Sequence, residues 1–392
     1  MHISHLSLSN FRNFTRLGLA LPAGATVLQG NNAQGKSNFL EAIYLLATTR
    51  SPRASSEREL IHWLAWSEEL PTCRLVADVH RAAGSLRLEV ALGGRGGDAG
   101  EPPQGPVALQ KRVRVNGVAR RAADFIGQLN VVLFSALDIA LVGGEPALRR
   151  RYLDITNSQV DRNYLRSLQH YNRVLLQRNH LLRSIGEGGA RADELAFWDG
   201  ELIAAGSYLI AQRQSMVAAV NELVETIHGE LSGGEERLKL AYWRSIDRQG
   251  QGGGEGETAE TFARALEAVR GKEIAQGMSL VGPHRDELRF LVHGIDMGTY
   301  GSRGQQRTIA LSLRLAEARF MAARSGETPV LLLDDVLSEL DRDRRDHLIN
   351  AATGYEQVIT TTTDLDRFPP SFLEQAALLQ VSMGQITPIA RV

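Results

Sequence analysis

The sequence predicts an α/β fold in which a mixed sheet with helices is interrupted by a second, mainly helical lobe. Three observations predict it. Residues 1–145 carry mostly the two-residue alternation of strands, residues 146–275 carry apolar residues at three- and four-residue steps, and residues 276–392 return to strand–helix–strand order. We therefore expect one discontinuous head, formed by the first and last ranges, with residues 146–275 inserted as a helical arm.

Composition places the chain among ordinary globular proteins. Its 392 residues suffice for two cores, and 43% hydrophobic with 23% charged residues is unexceptional. Cys73 is the only cysteine, which excludes a disulfide within one chain and suits a small buried residue in a reducing compartment. The start resembles no signal peptide, and no apolar run approaches the roughly 18 residues of a membrane helix. We expect a cytoplasmic protein with no membrane contact.

Local patterns define the elements of residues 1–145. Residues 86–92 alternate apolar and polar side chains, which predicts a strand, and Asn116-Gly117 after the strand pattern of 113–115 predicts a hairpin. One helix is expected at 37–48, where the apolar residues fall on one face. The Gly/Pro-rich stretch 93–106 has too few apolar residues to pack and predicts a surface loop.

The stretch "LQGNNAQGKSN" matches G-x-x-x-x-G-K-[ST], between a strand pattern at 26–29 and the helix pattern. Backbone N–H groups of such a loop and of the following helix N-terminus bind phosphates. Lys36 would contact the β- and γ-phosphates as a catalytic residue, and the Ser37 hydroxyl would hold Mg²⁺. The predicted nucleoside triphosphate site comprises Gly30, Asn31, Asn32, Ala33, Gln34, Gly35, Lys36, Ser37 and Asn38.

The apolar run "PVLLLDD" ends in two acidic residues and predicts a buried strand that delivers carboxylates to the phosphates. In P-loop proteins the first acid, here Asp334, completes the Mg²⁺ shell, and the next, Asp335, orients or activates the attacking water. Asp341 in "SELD" occupies the position of a loop that reaches the partner subunit in some of these ATPases.

Two segments compete for the signature that grips a partner's nucleotide. "LSGGEE" at 231–236 has the closer spelling, but a strand pattern follows it and it lies about 100 residues before Asp334. It predicts a Gly-rich turn. "GSRGQQRT" precedes a helix pattern that leads into the acidic strand, so a helix dipole would face the partner's γ-phosphate. We assign Ser302, Gly304 and Gln305 as the signature; the alternative is an ordinary N-capped helix. These motifs together predict an ABC-type P-loop ATPase head.

The chain resembles the RecF family of bacterial recombination-mediator ATPases, which is related to the SMC and Rad50 heads. The resemblance runs almost end to end and rests on "LSLSNFRNF", "GNNAQGKSNFLEAIYLL", "RRRYLD", "YNRVLLQRNHLLR", "LVGPHRDEL", "GSRGQQRT", "LLLDDVLSELD" and "TTTD". It implies an ATP-dependent homodimer with ATP held between Lys36 of one copy and Ser302 of the other. It also implies that Arg12 approaches the nucleotide, although a surface arginine is the alternative for that residue.

The same resemblance implies binding to double-stranded DNA and to single-/double-strand junctions. RecR and RecO would be partners in loading RecA at gaps. The resemblance implies a DNA-dependent ATPase, and two departures from the wider ATPase class predict that its hydrolysis is weak and works as a switch. Asp335 stands where relatives carry the longer glutamate, and Thr363 stands where many carry a histidine.

A basic segment is the candidate DNA contact. Residues 147–183 carry eight arginines and two acidic residues, whereas the whole chain has a net charge of −1. The candidates are Arg149, Arg150, Arg151 and Arg178, with Arg50 and Arg53 as secondary ones. The alternative is a solvated helical face with ion pairs. No base-reading motif is evident, which favours recognition of the DNA backbone or shape.

Two other functions use the same phosphate loop. A nucleotide-binding subunit of a membrane transporter is disfavoured by the arginine-rich insert and by the absent switch histidine. A P-loop kinase or GTPase is disfavoured by the paired Asp334–Asp335 and by the absence of an N-K-x-D guanine motif.

Overall fold

The computed structural model describes residues 1–68, 70–94, 109–249 and 258–389. It divides into two units, a head (Met1–Ala136 and Glu317–Val392) and a lobe (Leu137–Ala316). Most of the surface loop predicted at 93–106 lies outside the described residues. No helix in the described part of the chain combines the length and hydropathy needed to cross a bilayer.

The first segment of the head contains, in chain order, β1 (His2–Phe11), β2 (Phe14–Ala20), β3 (Gly24–Gln29), α1 (Lys36–Thr48), β4 (Thr72–Arg81), β5 (Gly84–Gly93), β6 (Gln110–Val115), β7 (Val118–Arg120), α2 (Ala122–Phe125) and β8 (Val131–Ser135). The lobe contains α3 (Ile139–Gly143), α4 (Pro146–Val160), α5 (Arg162–Gly186), α6 (Leu195–Leu231), β9 (Leu238–Trp243), α7 (Thr258–Gln276), β10 (Glu287–Val292), β11 (Ile295–Asp296) and α8 (Met297–Tyr300). Helix α9 (Arg303–Ser325) begins in the lobe and ends in the second segment of the head, which continues with β12 (Val330–Asp334), α10 (Arg342–Ala352), β13 (Gln357–Thr362), α11 (Pro370–Gln375), β14 (Ala377–Ser382) and β15 (Gln385–Pro388).

The head contains two six-stranded sheets. The first is antiparallel in the order β2-β1-β4-β5-β6-β7. Asn116 and Gly117 form its predicted hairpin turn, both with positive φ (50° and 78°), which matches the twist of the flanking strands. The second sheet is mixed, in the order β15-β14-β3-β13-β12-β8. Strand β15 is antiparallel to β14, and the other five strands are parallel to one another.

The parallel sheet positions the site. Every residue of β13 is buried, as expected for a central parallel strand covered on both faces. Helix α1 buries the apolar face that the sequence predicts, including Phe39 and Ile43. The carboxyl ends of β3, β12 and β13 lie side by side at one edge, which is where ligands bind in such sheets. The ABC-type head with an inserted, mainly helical lobe is confirmed.

The lobe is built from helices around an aromatic and aliphatic core. Side chains of α5, α6 and α7 meet there, among them Tyr171, Leu209 and Phe262. A small antiparallel sheet in the order β11-β10-β9 accompanies them. Strand β9 pairs with β10 along its whole length, so Glu287–Val292, which follows the predicted end of the arm at residue 275, pairs with a strand of the lobe. The compact unit that contains both strands spans Leu137–Ala316. After α6, Gly233 and Gly234 adopt left-handed φ, so "LSGGEE" is the predicted turn into a strand.

Candidate nucleotide site

The phosphate loop joins β3 to α1, and two of its positions accept only glycine. Gly35 has φ 113°, and a Cβ there would lie 2.5 Å from the Asn13 side chain. A Cβ at Gly30 would lie 2.4 Å from the Val381 carbonyl oxygen. Asn13 also donates to the Gln34 carbonyl at 2.9 Å and so holds the loop from the side. The spacing of the motif is therefore imposed by close packing as well as by ligand chemistry.

Lys36 folds over this loop. Its Nζ donates to the carbonyl oxygens of Gly30 (2.6 Å) and Asn31 (2.9 Å). Burial lowers the pKa of Lys36, and the nearby carboxylates of Asp335 and Asp334 oppose that shift. A partly desolvated cation next to the backbone N–H groups of a helix N-terminus favours the binding of a phosphate group.

Three side chains meet at the ends of β12 and β13. The Ser37 hydroxyl donates to Asp334 Oδ1 at 2.7 Å. Thr361 Oγ1 donates to the same oxygen at 3.0 Å and accepts the Asp335 N–H at 2.9 Å. Asp335 itself has φ 53°, an unfavourable conformation for a non-glycine residue. Thr361 is not among the predicted site residues; the parallel register of β12 and β13, which pairs it directly with Asp334, brings it into the site.

A cavity of about 260 Å³ opens over this constellation. The residues that line it are Asn32, Ala33, Gln34, Gly35, Lys36, Ser37, Asn38, Arg53, Asp334, Asp335 and Thr361. The hydroxyl of Ser37 and the carboxylate of Asp334 are oxygen donors of the kind Mg²⁺ prefers, and Mg²⁺ bound to a nucleotide commonly takes one or two protein ligands alongside phosphate oxygens. The residues present therefore fit a magnesium–triphosphate ligand.

Two arginines, Arg12 and Arg53, bind one buried carboxylate, Glu41, beside the cavity. Arg12 binds both oxygens of Glu41, at 2.7 and 2.9 Å. Arg53 binds Glu41 Oε2 at 2.8 Å and Asn38 Oδ1 at 2.9 Å. Burial opposes ionisation of Glu41, but hydrogen bonds from Arg12 and Ser51 and the charge of Arg53 outweigh it and lower its pKa. Arg53 lines the cavity, and Arg12 binds the same Glu41 carboxylate that holds Arg53. Direct contact of Arg12 with the nucleotide stays a prediction.

The predicted signature caps α9. Ser302 Oγ accepts the Gln305 N–H at 3.2 Å, and Gln305 Oε1 accepts the Ser302 N–H at 3.0 Å, which is a reciprocal capping box. Ser302 and Gly304 are exposed. Asp341, the predicted partner-facing loop residue, caps α10 by accepting the Arg344 N–H at 3.0 Å, and this hydrogen bond and the Arg344 charge lower its pKa.

Arg178 requires a correction. Its side chain has 0% exposure, and its guanidinium binds Asp199 (2.7 Å), Glu273 (2.6 Å) and Ser279 (2.7 Å). With its donors directed into the lobe, Arg178 cannot contact a DNA phosphate and is removed from the candidates.

The other three arginines differ in how far the lobe engages them. Arg149 is largely buried and binds Glu287 at 2.7 Å, and Arg150 donates to the Asp286 carbonyl oxygen at 3.0 Å. Arg151 is exposed. Their contact with DNA stays a prediction, and Arg151 presents the most accessible side chain of the three.

The motifs "YNRVLLQRNHLLR" and "LVGPHRDEL" meet in the lobe core. His284 Nε2 lies 3.2 Å from the Ser279 carbonyl oxygen, which only accepts, so Nδ1 accepts the Tyr171 O–H at 2.6 Å. Burial lowers the pKa of His284 to about 4. Arg213, also buried, binds Asp154 and the Pro283 carbonyl oxygen at 2.7 and 2.6 Å. These two motifs form the polar core of the lobe.

The phosphate loop on a mixed parallel sheet, the acidic strand and the helix-capping signature define an ABC-type P-loop ATPase head. The chain is 50% identical to the DNA replication and repair protein RecF of Chloroflexus aurantiacus over 393 residues, covering 98% of this chain and 99% of that protein. It is 39% identical to the RecF of Halalkalibacterium halodurans over 98% of this chain and 99% of the relative. The chain therefore belongs to the RecF family.

Solved structures agree with this assignment. A structure of the recombination mediator protein RecF-ATP in the RecFOR pathway superimposes with a TM-score of 0.85 at 31% identity, covering 99% of this chain and 98% of that one. An Smc head domain from Pyrococcus furiosus shares the fold with a TM-score of 0.53 at 16% identity, covering 99% of this chain and 96% of that one. No protein-family model matches the chain.

Proposed function

We propose that this protein binds ATP with Mg²⁺ at residues 30–38 and uses it to dimerise on DNA as a recombination mediator. The observation that carries the proposal is the constellation of Lys36, Ser37, Asp334 and Thr361 around one cavity. The bound ATP of the similar RecF structure supports the choice of nucleotide.

We propose a role for each side chain of the site. Lys36 leaves its two carbonyl partners and binds the terminal phosphates, while backbone N–H groups of the loop hold their oxygens. Ser37 and Asp334 would hold Mg²⁺, and the ion would supply positive charge next to the phosphates. Asp335 accepts a hydrogen bond from the attacking water and takes its proton. Its carboxylate is one methylene shorter than glutamate, so we expect slow hydrolysis suited to a switch.

The exposed position of the signature supports dimerisation. In a twofold dimer the N-terminus of α9, with Ser302 and Gly304 exposed, would face the γ-phosphate bound by Lys36 of the other copy. Asp341 would approach the same interface. Nucleotide would then complete the interface, so that ATP favours the dimer and hydrolysis releases it.

The family supports the choice of DNA as the substrate. Its curated members are DNA replication and repair proteins, and the similar structure is of a mediator in the RecFOR pathway. We therefore infer that this protein is cytoplasmic and binds duplex DNA and single-/double-strand junctions. It would work with RecR and RecO and assist the loading of RecA at gaps in DNA. Arg151, with Arg149 and Arg150 beside it, is the proposed DNA contact.

One experiment tests the proposal. Sedimentation and ATP turnover are measured with and without gapped duplex DNA, for the wild type, Lys36→Met and a control, Lys239→Met, whose side chain is exposed on β9. We expect ATP-dependent dimers and DNA-stimulated turnover in the wild type and the control, and the loss of both in Lys36→Met. Turnover and dimerisation that ignore DNA at low salt would contradict the proposal.

A further inference from the structure

Glu236 lies in the turn after α6, and its carboxylate reaches the signature glutamine. Gln305 Nε2 donates to Glu236 Oε1 at 2.7 Å, while Gln305 Oε1 accepts the Ser302 N–H. A carboxylate faces one end of the amide and an N–H faces the other, so the chemistry of the neighbours fixes which end is nitrogen. The Gln305 amide is therefore held in one orientation.

A buried histidine holds Glu236 in turn. Glu236 Oε2 lies 2.9 Å from Nε2 of His228, which has 0% exposure and belongs to the last turns of α6. His228 Nδ1 lies 3.0 Å from Ser312 Oγ in α9. Ser312 Oγ also lies 2.8 Å from the Thr308 carbonyl oxygen, so it connects His228 to the backbone of α9. The Glu236 carboxylate only accepts, so His228 Nε2 donates to it.

We infer that Glu236 is a positioning residue for the signature. It engages one N–H of the Gln305 amide and leaves the second N–H for the γ-phosphate of the nucleotide bound by a second copy. The inference rests on the proposed function, because only a nucleotide-sandwich dimer brings a phosphate to Gln305. The hydrogen bond from His228 also matters, since a carboxylate without such a donor would repel a nearby triphosphate more strongly. The segment that resembles a signature thus supports the real one.

The test is a double-mutant cycle on the dimerisation constant in the presence of a non-hydrolysable ATP analogue. The constant is measured by sedimentation equilibrium. The variants are Glu236→Ala, Gln305→Ala, the double variant and the conservative Glu236→Gln, which keeps an acceptor oxygen. Glu235→Ala is the matched control, because it removes the same charge from an exposed neighbour that contacts His293 through its backbone carbonyl.

Glu236→Ala is expected to weaken dimerisation about 25-fold. The loss of one such hydrogen bond lowers the dimerisation constant roughly fivefold per site, and a twofold dimer contains two sites. In the Gln305→Ala background the same change should have no further effect. Glu236→Gln should keep most of the wild-type constant, and the affinity of the monomer for the analogue should stay unchanged in every variant.

Each other outcome overturns a defined part of the reasoning. Wild-type dimerisation in Glu236→Ala, additive losses in the double variant, or an equal loss in Glu235→Ala would overturn the positioning role alone. A wild type that stays monomeric with the analogue, or a Gln305→Ala variant that dimerises normally, would instead overturn the proposed sandwich and this inference with it.

Discussion

Replacing Thr361 with valine removes one hydroxyl from the junction of β12 and β13 and keeps the shape of the side chain. That hydroxyl donates to Asp334 Oδ1 at 3.0 Å and accepts the Asp335 N–H at 2.9 Å, and Thr361 is only 1% exposed. Without it, Asp334 loses one of two hydroxyl donors, and Asp335 loses the acceptor that helps hold its left-handed backbone.

The magnitude follows from these two contacts. A hydrogen bond to a charged acceptor is worth roughly 1.5–3 kcal/mol, and one to a partly buried N–H about 1 kcal/mol. The added valine methyl returns about 1 kcal/mol through burial. We expect Thr361→Val to lower the free energy of unfolding of the head by about 2 kcal/mol. Because an outer-shell partner of Asp334 is lost, the Mg²⁺ concentration for half-maximal ATP binding should rise about tenfold.

The assays are urea unfolding without nucleotide and a Mg²⁺ titration of fluorescent ATP-analogue binding. Thr361→Ser restores the hydroxyl and serves as the control, with near-wild-type Mg²⁺ dependence. The unfolding arm tests the hydrogen bonds without reference to nucleotide. Unchanged unfolding together with an unchanged Mg²⁺ requirement in Thr361→Val would refute the reasoning.

Four further predictions concern single residues. Arg178→Met leaves Asp199 and Glu273 without their buried partner and should destabilise the lobe by about 3–5 kcal/mol, which thermal unfolding measures. Arg151→Ala should instead weaken DNA binding and reduce the slope of log binding constant against log salt concentration by about 1, which DNA titrations at several salt concentrations measure. Since burial lowers the pKa of His284 to about 4, the unfolded chain binds this proton first as pH falls, and stability should drop by up to about 3 kcal/mol between pH 6.5 and 4; a His284→Gln variant whose unfolding keeps the same pH slope would contradict this. Asp335→Asn should lose ATP turnover and retain the ATP-dependent dimer in sedimentation; a monomeric variant would remove Asp335 from its proposed role.

Much of the fold could be predicted because its signals are local. The Asn116-Gly117 turn and the alternation of 86–92 locate the hairpin and β5 without knowledge of any distant residue. The end of the lobe could not be located in the same way. It depends on the pairing of Leu238–Trp243 with Glu287–Val292, a contact between segments separated by more than forty residues that no short-range pattern encodes.

The site shows the same division. The sequence predicts a helix directly after Ser302 and a strand after "LSGGEE", and both elements are present because a capped helix and an alternating strand have recognisable local patterns. A count of arginines misassigned Arg178, although the helical period was informative: Tyr171, Val174 and Leu182 are buried on the face where Arg178 lies. The carboxylates that pair with it come from α6 and α7 and could not be inferred. The left-handed backbone of Asp335 likewise depends on a tertiary contact.

Strand order has a consequence for how this protein is made. The strand that precedes the phosphate loop, Gly24–Gln29, hydrogen-bonds on both sides to strands more than 300 residues further along, Gln357–Thr362 and Ala377–Ser382. During synthesis the loop therefore leaves the ribosome long before either neighbour exists. A chain stopped before residue 357 would carry the complete phosphate-binding motif and lack the sheet that supports it. Nucleotide affinity would then distinguish finished molecules from truncated ones, so that incomplete chains could not assemble on DNA through an ATP-dependent interface.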